Sequence, residues 1–185
     1  MSARLGAAAW WAALLLSSGS SLRQPPPLLA QEAFPTPGES APVELVLDRR
    51  RRQLRVIHNG LEWRRYPVAI GRPGWETPVG RFRVLELVSE PIWVHPATGQ
   101  QVAPGPANPL GSRWIGFLED CRPRRGFNGQ RQLQVRGCAT AGFHGTPQRS
   151  SVGQAVSHGC VRLLDEHIRE LFERVELGTP VTVLP

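Results

Sequence analysis

The segment Ser157-His158-Gly159-Cys160-Val161-Arg162-Leu163 groups the residue types that a reactive thiol requires. A cysteine is a nucleophile as its thiolate, so it needs a base or a positive charge beside it. Gly159 permits backbone paths that larger residues avoid and that can aim N–H groups at an oxyanion. We therefore predict that Cys160 is a nucleophile.

Arg162 offers a planar fork of donors for a substrate carboxylate, or alternatively it bonds backbone carbonyls in a structural role.

A second segment, Gly142-Phe143-His144-Gly145-Thr146-Pro147, supplies another imidazole. His158 lies two residues before Cys160, so on an extended chain both side chains point the same way, which is awkward for a direct hydrogen bond. His144 approaches from a separate segment and can take up its own geometry. The sequence therefore favours His144 as the base, with His158 as the alternative.

Two other interpretations of these residues stay open. Cys160 can be an inert thiol that packs as a small apolar group. His144, His158 and Cys160 are also zinc ligand types, although the chain has no tight pair such as C-x-x-C, and we expect no metal site. The remaining histidines are expected to be ordinary surface or packing residues: His58, His95 and His167.

Outward from these segments, the chain has the periodicity of short strands. Val43, Leu45 and Leu47 alternate, and Asn59-Gly60 between two apolar runs is a strong hairpin signal. The arginine run 49–52 between strand-like segments is expected to be a solvated turn. Many short strands of this kind predict a mainly β sandwich or barrel.

One amphipathic helix is predicted near the end of the chain. Ile168, Leu171, Phe172 and Val175 recur at helical spacing. Asp165 is the expected N-cap and Gly178 the expected C-terminal stop, which a final strand then follows.

These motifs resemble the L,D-transpeptidase catalytic domain, also called the YkuD domain. The resemblance covers residues 43 to 185, and the block around Cys160 is its most specific part. The matching blocks occur in the family's order: Tyr66-Pro67-Val68-Ala69-Ile70-Gly71, Thr77-Pro78-Val79-Gly80-Arg81-Phe82, Asn108-Pro109-Leu110-Gly111-Ser112-Arg113-Trp114, His144-Gly145-Thr146-Pro147 and the segment 157–163.

The resemblance implies a β-sandwich of mixed sheets with one C-terminal helix and a cysteine in a cleft. It implies that Cys160 attacks the carbonyl of the third residue of a peptidoglycan stem peptide and expels the terminal D-alanine. The amine of a second stem then resolves the thioester and leaves a 3→3 cross-link. By the same resemblance His144 is the proton acceptor, and Ser157, His158 and Gly159 shape the site and its oxyanion region. No cofactor is implied.

The remaining sequence predicts an exported protein. Arg4, an apolar stretch from Leu5 to Leu16 and small residues after it have the pattern of a signal peptide, which we place at residues 1–30, with an uncleaved signal anchor as the alternative. Residues 31–42 are expected to be a proline-rich linker, and residues 43–185 the catalytic domain. We expect a monomer in the periplasm or cell envelope, with no integral membrane domain beyond the signal segment.

The formal net charge of the 185-residue chain is +7, but no basic face interleaved with aromatic residues is visible, so we expect no nucleic-acid partner.

Cys121 and Cys138 flank a stretch with Gly126, Asn128 and Gly129 that interrupts the family pattern like an insertion. In an oxidising compartment a pair of cysteines plus one free thiol is expected, so we predict a disulfide between these two and a free Cys160. Two unpaired thiols on a mobile insertion are the alternative.

The sequence does not separate transpeptidation from three other outcomes. Water in place of the acceptor amine gives an L,D-carboxypeptidase or hydrolase, and a protein acceptor gives a protein-to-wall ligase. A wall-binding domain with a non-catalytic cysteine is the third.

Overall fold

A computed structural model describes residues 42–95, 98–122, 124–127, 132–135 and 138–185. The predicted signal peptide, and the predicted linker apart from its last residue, lie outside the described residues. Within them, no helix is both long enough and apolar enough to cross a membrane.

The larger sheet has five strands in the order β3-β2-β1-β15-β5. Its central pair, β1 and β15, is parallel, and the other neighbours are antiparallel. The chain's first and last described strands therefore lie side by side. The strands are β1 Val43–Asp48, β2 Gln53–His58, β3 Leu61–Pro67, β5 Gly80–Arg83 and β15 Pro180–Leu184.

The Asn59-Gly60 hairpin is confirmed. These two residues join β2 to β3 and have φ angles of 52° and 74°, the left-handed conformation that a tight two-residue hairpin needs at both central positions. The predicted turn at residues 49–52 is also observed, between β1 and β2.

The second sheet has four strands in the order β14-β12-β9-β6. β12 pairs with β9 antiparallel and with β14 parallel. Its strands are β6 Glu86–Ser89, β9 Arg113–Asp120, β12 Ala139–His144 and β14 Val161–Arg162. Three short pairs complete the described strands: β4 Ile70–Gly71 with β13 Ala155–Ser157, β7 Trp93–Val94 with β8 Gln101–Val102, and β10 Arg124–Phe127 with β11 Gln132–Val135.

Within the described residues, the core is one apolar cluster to which both sheets contribute. Phe82 of the first sheet lies 5.4 Å from Phe117 of the second, whose ring lies 4.9 Å from Phe143, measured between ring centroids. A fully buried side chain of this size stabilises the fold by about 1.5–3 kcal/mol. The predicted β-sandwich of mixed sheets with one C-terminal amphipathic helix is confirmed in the described residues.

The helix, α1, covers Asp165–Phe172 and buries Ile168 and Leu171 completely. Two details of the prediction are wrong. Leu164 is the N-cap, because the Asp165 carboxylate is bonded elsewhere, to Ser112. The helix also ends well before Gly178, whose N–H donates to the Val84 carbonyl in the approach to β15.

Candidate active site

The register of β12 and β14 places Cys160 and His144 on one face of the second sheet. Phe143 lies opposite Val161, and His144 lies opposite Arg162. Residues that pair in a parallel ladder point to the same face, and neighbours along a strand alternate. Phe143 and Val161 point into the core, so His144 and Arg162 occupy the other face together with Cys160, which precedes the ladder.

A short turn fixes the position of the cysteine. The Ser157 hydroxyl donates to the Cys160 carbonyl over 2.5 Å and accepts the Gly159 N–H over 3.2 Å. Gly159 has a φ of 115°, a conformation that side chains strongly disfavour. Ser157 and Gly159 therefore shape the turn from which Cys160 enters β14.

The thiol of Cys160 is held in its neutral form. Burial raises the pKa of Cys160, while the backbone N–H of Gly142 and the charge of Arg162 act in the opposite direction. The effect of burial is the larger one, because the loss of hydration destabilises the thiolate more than these two groups stabilise it. A thiol in this environment becomes a thiolate only when a base accepts its proton.

His144 has the tautomer that a base requires. Its Nδ1 lies 2.6 Å from the Gly145 carbonyl, which can only accept, so Nδ1 carries the proton and Nε2 is left as an acceptor. Burial, with a smaller effect from Arg162, lowers the pKa of His144 to about 4, although the Gly145 carbonyl favours the protonated ring. The imidazole is therefore neutral at pH 7.

The carbonyl that orients His144 is held by close packing that the sequence did not reveal. The Asp165 carboxylate accepts from the Ser112 N–H and hydroxyl, at 2.8 Å and 2.9 Å. A Cβ on Gly145 or Gly111 would lie about 2.5 Å or less from Asp165 Oδ1, which leaves no room for a side chain at either position. Gly145, which follows His144 in the predicted motif, is therefore a position where close packing leaves no space for a side chain.

Trp114 lies against the His144 ring, with 6.0 Å between ring centroids and an interplanar angle of 27°. Its indole N–H donates to Glu86 over 2.9 Å. A Cβ on Gly116 or Gly142 would come within 3.0 Å of the indole, so the two glycines form the surface on which it rests. The family resemblance included Trp114 only as part of a block, without this contact.

His158 has different surroundings. The Arg72 guanidinium donates to His158 Nε2 over 2.8 Å, and arginine has no acceptor, so the proton of neutral His158 is on Nδ1. The Trp75 ring meets the imidazole edge-on at 5.0 Å. Partial burial first, and then Arg72 and Arg162, lower the pKa of His158. With Nε2 already occupied by a permanent donor, His158 is less suited than His144 to accept a proton.

Arg162 is half-buried and bonds Gln148 Oε1 at 3.3 Å. In the described part of the chain, its guanidinium forms no ion pair and no hydrogen bond to a backbone carbonyl. Its charge acts on His144, His158 and Cys160 together. This environment favours the substrate-binding interpretation over the structural one.

Cys121 and Cys138 form a disulfide, and Cys160 is the free cysteine. The disulfide joins the chain just after β9 to the chain just before β12. Metal-ligand types come together in the described residues at Glu119, Cys121 and Cys138, where both sulfurs belong to the disulfide. The ligand atoms of His144, His158 and Cys160 do not converge in this way.

The site brings a thiol and a neutral imidazole onto neighbouring strands, beside an arginine that forms no ion pair within the described residues. Comparison with known proteins gives the family. Residues 42–183 match the L,D-transpeptidase catalytic domain, and the chain belongs to this family.

Relatives and solved structures agree with this family. The chain is 31% identical over 150 residues to "Putative L,D-transpeptidase YqjB" of Bacillus subtilis, covering 80% of this chain and 73% of that one. An L,D-transpeptidase from Mycobacterium tuberculosis has a similar fold, with a TM-score of 0.57 and 20% identity over 78% of this chain; the match spans 58% of the mycobacterial chain. The catalytic domain of an Enterococcus faecium L,D-transpeptidase matches over its whole length and 80% of this chain, with a TM-score of 0.54 and 20% identity.

Proposed function

We propose that this protein is a peptidoglycan L,D-transpeptidase that forms 3→3 cross-links through a thioester on Cys160. The sulfur attacks the carbonyl of the third residue of a donor stem while its proton passes to His144 Nε2. The C–N bond to the terminal D-alanine breaks, and the leaving amine takes the proton from His144. An amine of a second stem then attacks the thioester and gives its proton to His144. The C–S bond breaks, and the Cys160 sulfur takes that proton from His144, which restores the resting site.

The observation that carries the proposal is the tautomer of His144 on the same sheet face as Cys160. The Gly145 carbonyl holds the proton on Nδ1, which directs the acceptor nitrogen away from that backbone contact. His158, whose Nε2 is occupied by Arg72, is then left to line the site.

The resting site consists of a neutral thiol and a neutral imidazole, because burial opposes the charge on each. Complete proton transfer before substrate binds would place a buried imidazolium near Arg162. The proton therefore moves as the sulfur attacks, when negative charge leaves the sulfur and develops on the substrate oxygen.

The oxyanion region has a defined division of roles. Ser157 and Gly159 bond to each other and so shape the turn instead of donating to substrate. Arg162 has no carboxylate partner in the described part of the chain, so it is available to bind a stem carboxylate and to offset the developing charge.

The family's substrate implies export to the cell envelope, in agreement with the signal-like sequence at residues 1–30, and we assign residues 43–185 as the catalytic domain. Peptidoglycan stem peptides are the proposed partners, and the proposed oligomeric state is a monomer.

The test is incubation of the purified protein with disaccharide tetrapeptides, followed by mass spectrometry of the products. We expect a cross-linked dimer that has lost one D-alanine, formed by the wild type and by His167→Ala but not by Cys160→Ala. Tripeptide without dimer would indicate a hydrolase, tripeptide joined to an added protein would indicate a wall ligase, and unchanged tetrapeptide would indicate a binding domain.

A further inference from the structure

A tight turn beside the cysteine loop presents an arginine and a tryptophan together. The Trp75 N–H donates to the Arg72 carbonyl over 2.8 Å, with Pro73 and Gly74 between them and a φ of 83° at Gly74. Proline followed by a residue with positive φ is the pattern of a type II turn. A Cβ on Gly71 would lie 1.9 Å from the Trp75 carbonyl, so the turn closes against a position where no side chain fits.

The turn is fixed to the strand that leads to the nucleophile. The Arg72 N–H donates to the Ser157 carbonyl over 3.0 Å, and β4 pairs with β13 just before it. Arg72 and Trp75 both contact the His158 ring, and the Trp75 carbonyl lies within 3.8 Å of a Cβ placed on Gly159. The turn therefore forms one wall of the site that contains Cys160.

The His158 ring is close to two cations, Arg72 by a direct contact and Arg162 by its electrostatic effect. In the residues that the structure describes, neither Arg72 nor Arg162 has a carboxylate oxygen within 4.0 Å. Both act electrostatically on His158. Arg162 is also partly desolvated, and a cation with reduced hydration gains most from a paired anion.

We propose that Arg72 and Trp75 form a carboxylate subsite, adjacent to Arg162, that binds a carboxylate of the donor stem peptide. The guanidinium bonds the carboxylate oxygens, and the indole, which is 54% exposed, packs on the carbon chain next to that carboxylate. The ligand is a peptide with a free carboxylate close to the attacked carbonyl. This inference rests on the proposed function, since it identifies what the same site recognises in its donor.

The source of the carboxylate is either the terminal D-alanine or another free carboxyl group of the stem, such as one on the side chain of the third residue. A series of tetrapeptides in which one carboxylate at a time is replaced by a carboxamide separates these sources. Binding is measured by isothermal titration calorimetry on the full chain with Cys160→Ala, so that no chemistry occurs.

We expect Arg72→Gln, added to Cys160→Ala, to weaken binding of the free-carboxylate peptide by about 10- to 100-fold, the usual effect of losing a hydrogen bond to a charged group. One of the carboxamide peptides should bind with equal affinity to the parent Cys160→Ala protein and to the variant that also carries Arg72→Gln. The position of the carboxamide in that peptide identifies the carboxylate that Arg72 binds. Arg72→Lys should be intermediate because it keeps the charge and loses the fork. Arg50→Gln, an exposed arginine in the turn after β1, is the charge-matched control and should bind like the parent.

A second readout distinguishes binding from positioning. Saturation with the free-carboxylate peptide should raise the pKa of His158, because an anion then lies beside the ring. The pKa is measured by NMR titration of the imidazole. Three results would each overturn the subsite. Arg72→Gln could weaken the binding of every peptide equally, or it could leave every affinity unchanged. The third is that none of the peptides binds the parent protein. The acyl-enzyme chemistry on Cys160 is measured separately, so a failure of the subsite and a failure of the proposed function give different results.

Discussion

The buried imidazole of His144 should make the stability of the fold depend on pH. Its pKa is about 4 in the folded protein, against an ordinary value of 6.5, because burial disfavours the charged ring. The unfolded chain therefore binds this proton more tightly than the folded one. Stability is complete above pH 6.5 and is lost as the pH falls from 6.5 towards 4.

The two pKa values give the size of the effect. They differ by about 2.5, and each unit is worth about 1.4 kcal/mol, so full protonation destabilises the fold by about 3 kcal/mol. Between pH 7 and pH 4.5, the linkage relation gives a loss of about 2 kcal/mol from His144 alone.

The assay is urea unfolding at both pH values for the wild type and for His144→Gln, which cannot titrate in this range. The loss of unfolding free energy on acidification should be smaller by about 2 kcal/mol in the variant. Each protein is compared with itself, so a general destabilisation by the substitution cancels. His158→Gln is the matched control and should retain most of the wild-type pH dependence. Equal losses in wild type and His144→Gln would show that His144 does not cause the pH dependence.

Three further outcomes are expected. His144→Ala should lower kcat by about 10² to 10⁴, the usual effect of removing a general base, while His58→Ala should not, and comparable rates for the two would reject His144 as the base. Arg162→Lys should raise KM with unchanged thermal stability, because the planar fork is lost; reduced stability with unchanged KM would make it a structural residue. Thiol titration of unfolded, non-reduced protein should find one free thiol, and three would contradict the bridge between Cys121 and Cys138.

The parts of the fold that short-range rules determine could be predicted from the sequence. Asn59-Gly60 specifies its turn by local backbone preference, and the apolar spacing around Ile168 and Leu171 specifies the buried face of α1. The two segments with Cys160 and His144 were recognisable as motifs, and the structure brings them together on neighbouring strands. Their chemical roles stay predictions.

Contacts between distant segments could not be predicted in the same way. Asp165 has the position of an N-cap in a local pattern, but its carboxylate bonds Ser112, 53 residues earlier. Arg72 reaches His158 across 86 residues, and no local spacing indicates that contact. The available signal was indirect: Pro73-Gly74 marks a type II turn, which places its flanking side chains close together without identifying what they meet.

In the proposed reaction Cys160 carries the acyl group of the donor stem. Intact-protein mass spectrometry after brief mixing with a donor tetrapeptide, without an acceptor amine, tests it most directly. We expect a mass increase equal to the donor peptide minus D-alanine, located at Cys160 by peptide mapping and absent in Cys160→Ala. An adduct that persists in Cys160→Ala, or release of D-alanine by that variant at the wild-type rate, would contradict it.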